Sequence, residues 1–460
     1  MHSQSKFSLG LALLLISVAI KGVLMAWLVP AWQQPDEPTH FQYTQLMVEE
    51  HRLPVSAGAT QYFSPEVIRS TLSHGLANNL PVSVNRQLNT DGIPPESPDR
   101  KVFGSAPANT AAVYGPLNYL LLAVPYTLLQ DAPVEQRLIA MRLVSVLLFL
   151  GVVLGAYGIA FALRPRQGFA LAVAAAVGWH PMAAFIFAGV NNDALLTFLS
   201  TFAFWLLVHL HNRRIKFTHL IFIIILCIVG VLTKVPFIIF IPLFALMIFR
   251  KTNGFSMTVR IVVISALAIL PVVSFILWQH SVTVSSLAGF VPPIKWTFPQ
   301  RTVGNIANLT LLFRPSRVWI SFWGLFGWMM YPLHVGVYAM TLLVGGATLS
   351  GIVLLLRDIH RKIASTITRE NLLLLLTPFF LLEGLYLALF WKTIIIYNRP
   401  LFPLQGRYYF LLLAPIALLG LIGIERFVPQ RLHKYGAWAL AVFLLILNVD
   451  ALVVMLQAWT

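Results

Sequence analysis

Gln34-Pro-Asp-Glu-Pro-Thr-His-Phe-Gln-Tyr43 follows directly on an apolar run, Phe7 to Val29, that reads FSLGLALLLISVAIKGVLMAWLV. About 20 such residues cross a hydrocarbon layer of about 30 Å. Lys6 precedes the run as in a signal peptide. The run is nevertheless too long for an h-region and lacks a small-x-small cleavage site, so it is read as an uncleaved first span. The chain then places two carboxylates side by side where it leaves the membrane, although it has only 16 acidic residues against 32 Lys and Arg. Pro38 suits the first turn of a helix, where its missing N–H costs nothing. Phe41 to Glu50 reads as a short helix that ends near Arg52-Leu-Pro54. Asp36 and Glu37 thus stand at a helix N-terminus, which favours the ionised form, and His40 lies one turn along. Two readings stay open on this motif alone: a carboxylate pair serving as base or metal ligand, or ordinary N-capping by Asp36.

Composition sets the class. Of 460 residues, 58% are hydrophobic and 10% charged, with a mean hydropathy of +0.79, against roughly 25% charged in a soluble domain. The formal charge of +16 does not point to nucleic acid. Lys and Arg sit in short clusters between apolar runs, with no basic stripe interleaved with aromatics, and membrane topology accounts for them. The lone Cys227 excludes an intrachain disulfide framework. There is no P-loop, GxSxG or Rossmann fingerprint, and the His residues form no HExxH, so ATP hydrolysis and serine-esterase chemistry have no support.

Apolar runs of spanning length fall near 7–29, 137–163, 168–189, 193–211, 217–232, 235–250, 259–279, 334–356, 371–391, 407–427 and 435–457. Runs 113–130 and 318–333 are ambiguous. If 113–130 crosses fully, Arg164/Arg166 and Arg213/Arg214/Lys216 fall outside, against the positive-inside rule. If it lies in the interface or re-enters, those clusters move inside with Arg250/Lys251, Arg357/Arg361/Lys362 and Arg426/Arg431/Lys434. The second assignment is the better one. It predicts an all-α polytopic membrane protein of about 11 transmembrane helices, with its N-terminus in the cytoplasm and its C-terminus outside. The external first loop 30–112 carries interfacial helices, and the aromatic-Gly loop 280–333 lies on the same side. Residues 1–460 read as one transmembrane catalytic domain. The segment 189–193, Lys234 and the loop 392–406 also face outward, so one side of the membrane carries the unusual polar residues.

Each of these positions has a functional and a plain reading. Gly189-Val-Asn-Asn-Asp193 joins two spans with almost no loop. Asn191, Asn192 and Asp193 suit sugar hydroxyls or a metal ion, yet Asp193 is also a natural cap for the next helix. Lys234 interrupts an apolar run, where a charge is expensive, although a Lys near a span end can snorkel. Arg407, within Gln405-Gly-Arg-Tyr408, has the fork to hold a phosphate, or anchors the interface with its neighbouring Tyr. Ser321-Phe-Trp-Gly-Leu-Phe-Gly-Trp328 has Trp spacing that an aromatic belt explains and Gly spacing that it does not.

These pieces, taken in order, resemble the GT-C superfamily of integral-membrane glycosyltransferases, which includes protein O-mannosyltransferases and aminoarabinose transferases. The likeness is greatest to a bacterial family of predicted membrane glycosyltransferases. It rests on Pro35-Asp-Glu-x-x-His40, Tyr114-Gly-Pro-Leu-Asn-Tyr119, Arg142-Leu-Val-Ser145, Val190-Asn-Asn-Asp193, Ser321 to Trp328 and Gln405-Gly-Arg-Tyr408. Gly115 departs from the pattern, standing where such proteins often have a second Pro.

The resemblance implies transfer of a sugar from a polyprenyl-phosphate-linked donor to a glycan, lipid or protein acceptor of the cell envelope. The membrane would be the bacterial cytoplasmic membrane and the active site would face outward. It implies Asp36 as base with Glu37 and Asp193 as further catalytic groups, and inversion by direct attack. His40, Tyr114, Asn191, Asn192, Lys234, Trp323, Gln405, Arg407 and Tyr408 would contact substrate or phosphate. Asp36, Glu37 and His40 are also ligand types for a divalent cation such as Mg or Mn, and no other cofactor is indicated. The reading from another class is a polytopic transporter or flippase for a polar lipid or glycan. That would favour polar residues near mid-membrane and internal symmetry.

Overall fold

The computed structural model of the chain describes residues 9–55, 63–73, 109–211, 213, 215–251, 254–282, 315–361, 363, 367–397 and 404–459. Much of the loop 30–112 and most of the loop 280–333 lie outside the described residues. The described chain is mostly helical. In order come α1 (Leu9–Leu28), α2 (Glu37–Glu49), α3 (Pro65–Ser73), α4 (Leu117–Leu128), α5 (Val134–Leu163), α6 (Gln167–Gly178), α7 (Pro181–Phe187) and α8 (Asp193–His211). These are followed by α9 (Phe217–Thr233), α10 (Phe240–Lys251), α11 (Met257–Val282), α12 (Pro315–Trp323), α13 (Val335–His360), α14 (Arg369–Tyr397), α15 (Leu413–Glu425) and α16 (Gly436–Trp459). A two-stranded antiparallel hairpin, β1 (Leu325–Phe326) and β2 (Tyr331–Pro332), follows α12.

Among the described residues, eight helices are long and apolar enough to cross a membrane, or nine if α6 and α7 form one span bent by 61°. Eleven were expected. The difference lies at α9 and α10, where the apolar pattern continues but the helix does not. Pro236 starts a 3-10 turn, Val235–Ile239, that separates a 17-residue helix from a 12-residue one. At 1.5 Å per residue these reach about 26 Å and about 18 Å, short of a full crossing. The ambiguous run 113–130 yields α4, also of 12 residues. The run 318–333 breaks into α12 and the hairpin.

The charged helix ends sort themselves. Arg164, after α5, forms an ion pair with Glu425 at the end of α15. Arg426 pairs with Asp358 of α13 at 2.6 Å, and His211 of α8 meets Glu370 of α14 at 3.2 Å. Arg164 and Arg426 belong to the basic connections expected on one side. At the opposite end of the bundle the start of α2, the turn before α8, Lys234 and Arg407 come together.

Close helix contact here depends on glycine. A Cβ on Gly351 of α13 would overlap the backbone of Gly423, and one on Gly423 would overlap Thr348, so α13 and α15 cross backbone to backbone. The helix α2 departs from the expected interfacial helix. Ten consecutive residues, Glu37 to Leu46, are buried, including Thr39, His40, Gln42, Thr44 and Gln45. A helix that is polar and enclosed on every side marks a site more than a membrane-surface element.

Candidate functional site

Asp36 precedes α2 with left-handed backbone angles (φ 65°), and its carboxylate makes no capping hydrogen bond. Asp tolerates that conformation better than most residues, and such strain collects at functional positions. The capping alternative therefore fails, and the carboxylate is free for a distant partner. Arg407 Nη2 donates to Asp36 Oδ2 at 2.8 Å across 371 positions of sequence. Arg407 Nε lies 3.9 Å from Asp193 Oδ2, and Lys234 Nζ is bonded to Asp193 Oδ1. The result is a chain of alternating charge: Asp36, Arg407, Asp193, Lys234. It gathers four of the residues expected from sequence.

The chain of charges is built by local geometry. Asn191 Oδ1 accepts the Ala194 N–H at 3.1 Å and so caps α8, which leaves Asp193 free for Lys234. Asn191 Nδ2 donates to Ile186 O at 2.7 Å and Asn192 Nδ2 to Thr233 O at 3.3 Å. The two amides hold the turn. Lys234 ends α9 in extended backbone, with its ammonium 5.6 Å from the rings of both Tyr114 and Tyr408. Tyr114 is fixed by its neighbour. Gly115 N donates to Leu232 O at 2.7 Å, and a Cβ on Gly115 would approach that oxygen at 2.9 Å. Gly406 has the same role for Arg407. Its N–H reaches Ser321 Oγ at 2.8 Å, and any Cβ would overlap the backbone of Phe322.

Glu37 points elsewhere. Its Oε1 accepts Arg142 Nε at 2.8 Å and Val190 N at 3.1 Å, and its Oε2 accepts Arg142 Nη2 at 2.7 Å and Trp32 N at 3.1 Å. Arg142 also donates to the carbonyls of Ala26, Val29 and Pro30, closing the C-terminal end of α1. With both carboxylate oxygens doubly engaged, Glu37 has no room to bind a metal or take a proton. This corrects its expected catalytic role. His40 is also committed, with Nδ1 bonded to Tyr119 OH at 2.8 Å and its ring stacked between Tyr114 and Tyr119. Among the described residues no group of three or more His, Cys, Asp or Glu is arranged to hold a metal, so the set Asp36, Glu37 and His40 is not assembled.

Asp36 differs from the rest of the cluster in access. Its side chain is 53% exposed, although protein surrounds it, while those of Arg407 and Asp193 are 7% exposed. Its carboxylate is thus the accessible one of the cluster. Burial pushes the Asp36 pKa up, but Arg407, with help from Lys234, outweighs it and holds the group below the usual carboxylate range. Burial drives His40 down to about 4 against the opposing pull of Asp36, so its ring is neutral near pH 7.

Trp323 does not join this cluster. It stacks on His180 and packs against Phe322 and Phe443. Gln405 Oε1 and both amide atoms of Gln33 are buried without partners. Gln33 lies beside Gly327 of the hairpin, and sequence reading overlooked it, whereas Arg142 and Tyr119 stood within the quoted motifs but were given no role. An Arg inside an apolar run was the one available signal.

Over residues 20–419 the sequence matches the family described as predicted membrane protein, DUF2142. The chain belongs to that family. No curated protein matches it. Among solved structures, the DUF2142 chain overlaps the apo Archaeoglobus fulgidus oligosaccharyltransferase at 12% identity and a TM-score of 0.47, over 99% of this chain and 56% of that one. The same enzyme with Zn and sulfate gives 12% and 0.45, over 97% and 53%. The A. fulgidus oligosaccharyltransferase AglB with an inhibitory peptide and a dolichol-phosphate gives 11% and 0.44, over 97% and 55%. The DUF2142 chain spans about half the length of these proteins.

Proposed function

We propose that this chain is a membrane glycosyltransferase with a single catalytic domain. It moves a sugar from a polyprenyl-phosphate-linked donor to a hydroxyl of an envelope glycan, lipid or protein on the non-cytoplasmic side of the membrane. The observation that carries the reading is the pairing of one accessible carboxylate, Asp36, with the enclosed Arg407, which Asp193 links to a second cation, Lys234. The acceptor oxygen attacks the anomeric carbon as the bond from that carbon to the phosphate oxygen breaks. The hydroxyl proton passes to Asp36, and the departing phosphate keeps the electron pair. A carboxylate held below its usual pKa is a weak base, so proton removal belongs late, when the new C–O bond has made the proton acidic.

Arg407 and Lys234 supply the positive charge for the leaving phosphate, and Asp193 keeps both aimed into the site. Gln33 and Gln405 offer hydrogen bonds to sugar hydroxyls, and Tyr114 and Tyr408 border the phosphate side. Direct displacement inverts the anomeric centre. Cells lacking the chain should accumulate a lipid-linked sugar that wild-type protein clears and Asp36→Asn protein, present in equal folded amount, does not. Clearance by the Asn variant removes Asp36 from the base role.

A further inference from the structure

A second group of polar side chains surrounds the break between α6 and α7. Lys21 stands seven residues before the end of α1 at Leu28, about 10 Å along the helix axis. Its Nζ is buried, has no hydrogen-bond partner and pairs with no carboxylate among the described residues. It lies 5.2 Å from the centroid of the Trp179 ring. The next residue, His180, is enclosed. Its Nδ1 accepts the Ala183 N–H at 3.2 Å, which leaves the hydrogen of the neutral ring on Nε2, and Nε2 is buried without a partner. Trp323 stacks on this ring with centroids 5.1 Å apart, and its Nε1–H is also buried and unpartnered.

Two acceptors on the same elements are already engaged. Ser17 Oγ takes Trp179 Nε1–H at 3.3 Å, and Trp179 O takes Asn448 Nδ2–H at 2.8 Å. Phe322 and Phe410 pack edge-on against His180 at 4.8 and 5.6 Å, so the ring faces phenyl groups, not the Arg407 guanidinium.

Buried donors without acceptors are costly, and a cation without a counter-charge inside a bilayer is costlier. Two of these donors belong to one ring stack, His180 at the α6–α7 break and Trp323 at the end of α12, and Lys21 of α1 lies over the ring of Trp179, the residue before His180. We propose that Lys21, His180 and Trp323 form a second oxyanion site, for a phosphate-class group, separate from the Asp36–Arg407 cluster. A tetrahedral oxyanion brings one peripheral oxygen for each donor and a charge to offset Lys21. The phosphate is carried by a lipid or is free. The site stands whether or not the chain transfers sugar.

Equilibrium binding to the purified full chain tests it, with inorganic phosphate and a water-soluble C10 prenyl monophosphate as probes. The Arg407→Gln background removes one of the two cations of the other cluster and leaves Lys234 neutralised by Asp193. In that background one equivalent of probe should bind. Lys21→Met should weaken this binding at least about tenfold and Trp323→Phe about threefold to tenfold, as loss of a charged and a neutral donor predicts. The tryptophan change keeps the ring and serves if the lysine variant misfolds. Preference for the prenyl probe assigns the site to a lipid phosphate, and equal binding of both assigns it to the free anion. Binding that is absent in the Arg407→Gln background, or that is unchanged by both substitutions, overturns the site and leaves the donors to buried water.

Discussion

A carboxylate can be charged and still be unable to react, and Asp36 and Glu37 make the contrast within two adjacent residues. Glu37 is sealed against Arg142, with both groups fully hydrogen-bonded. Removing one partner of such a pair strands the other, at a cost of about 3–5 kcal/mol, whereas replacing both with apolar groups is often tolerated. Glu37→Gln should therefore lower the amount of folded protein, and the double change Glu37→Leu with Arg142→Met should recover part of it. A catalytic Glu37 would instead give a well-folded, inactive single variant, which thermal unfolding in detergent distinguishes. His40 supplies a pH test. Its folded pKa of about 4 lies below the unfolded value near 6.5, so the unfolded state binds more protons between them. Stability is full above pH 6.5 and falls as pH drops toward 4, by roughly 3 kcal/mol for this group. Melting temperatures across that range should fall, and the slope should shrink in His40→Asn. Sequence displayed Asp36, Asp193, Lys234 and Arg407 because charge at a span boundary is rare. It did not display the closure of Glu37, whose partner lies 105 residues away.

The elements place these side chains through contacts that only a bare backbone permits. The 3-10 turn Gly406–Leu412 lies against α12 because Gly406 has no Cβ, and Arg407 takes its direction from that contact. Gly406→Ala should unseat the turn and destabilise the protein by about 1–3 kcal/mol, as overpacking does. Gly420→Ala is the control. It lies in α15, where an added methyl group would meet nothing within 4 Å, and a helical Gly replaced by Ala is neutral or stabilising. Denaturant or thermal unfolding of the two variants should move in opposite directions. Apolar runs located the long helices of the described residues, of which eight or nine, against the eleven expected, are long enough to cross. Apolar runs mark what is buried, while Pro236 and the α6–α7 break decide where a helix stops.

For the whole molecule, the two ends of the bundle differ in kind. One end joins helix termini through simple ion pairs, such as Arg426 with Asp358, and the other holds the charge cluster. The positive-inside rule predicts the first end in the cytoplasm. A single cysteine at exposed position 51 should react with a membrane-impermeant thiol reagent on intact cells, and one at exposed position 360 only after permeabilisation. The buried native Cys227 should stay silent in both. The reverse pattern would place the cluster in the cytoplasm and remove a lipid-linked donor presented from outside. The most direct measurement is the rate of sugar transfer from the lipid-linked pool in membranes bearing wild-type or Asp36→Asn protein at matched folded amounts. Loss of a general base predicts a fall of about 10²–10⁴-fold in the Asn variant, whereas an unchanged rate would contradict the assignment of this carboxylate to the chemistry.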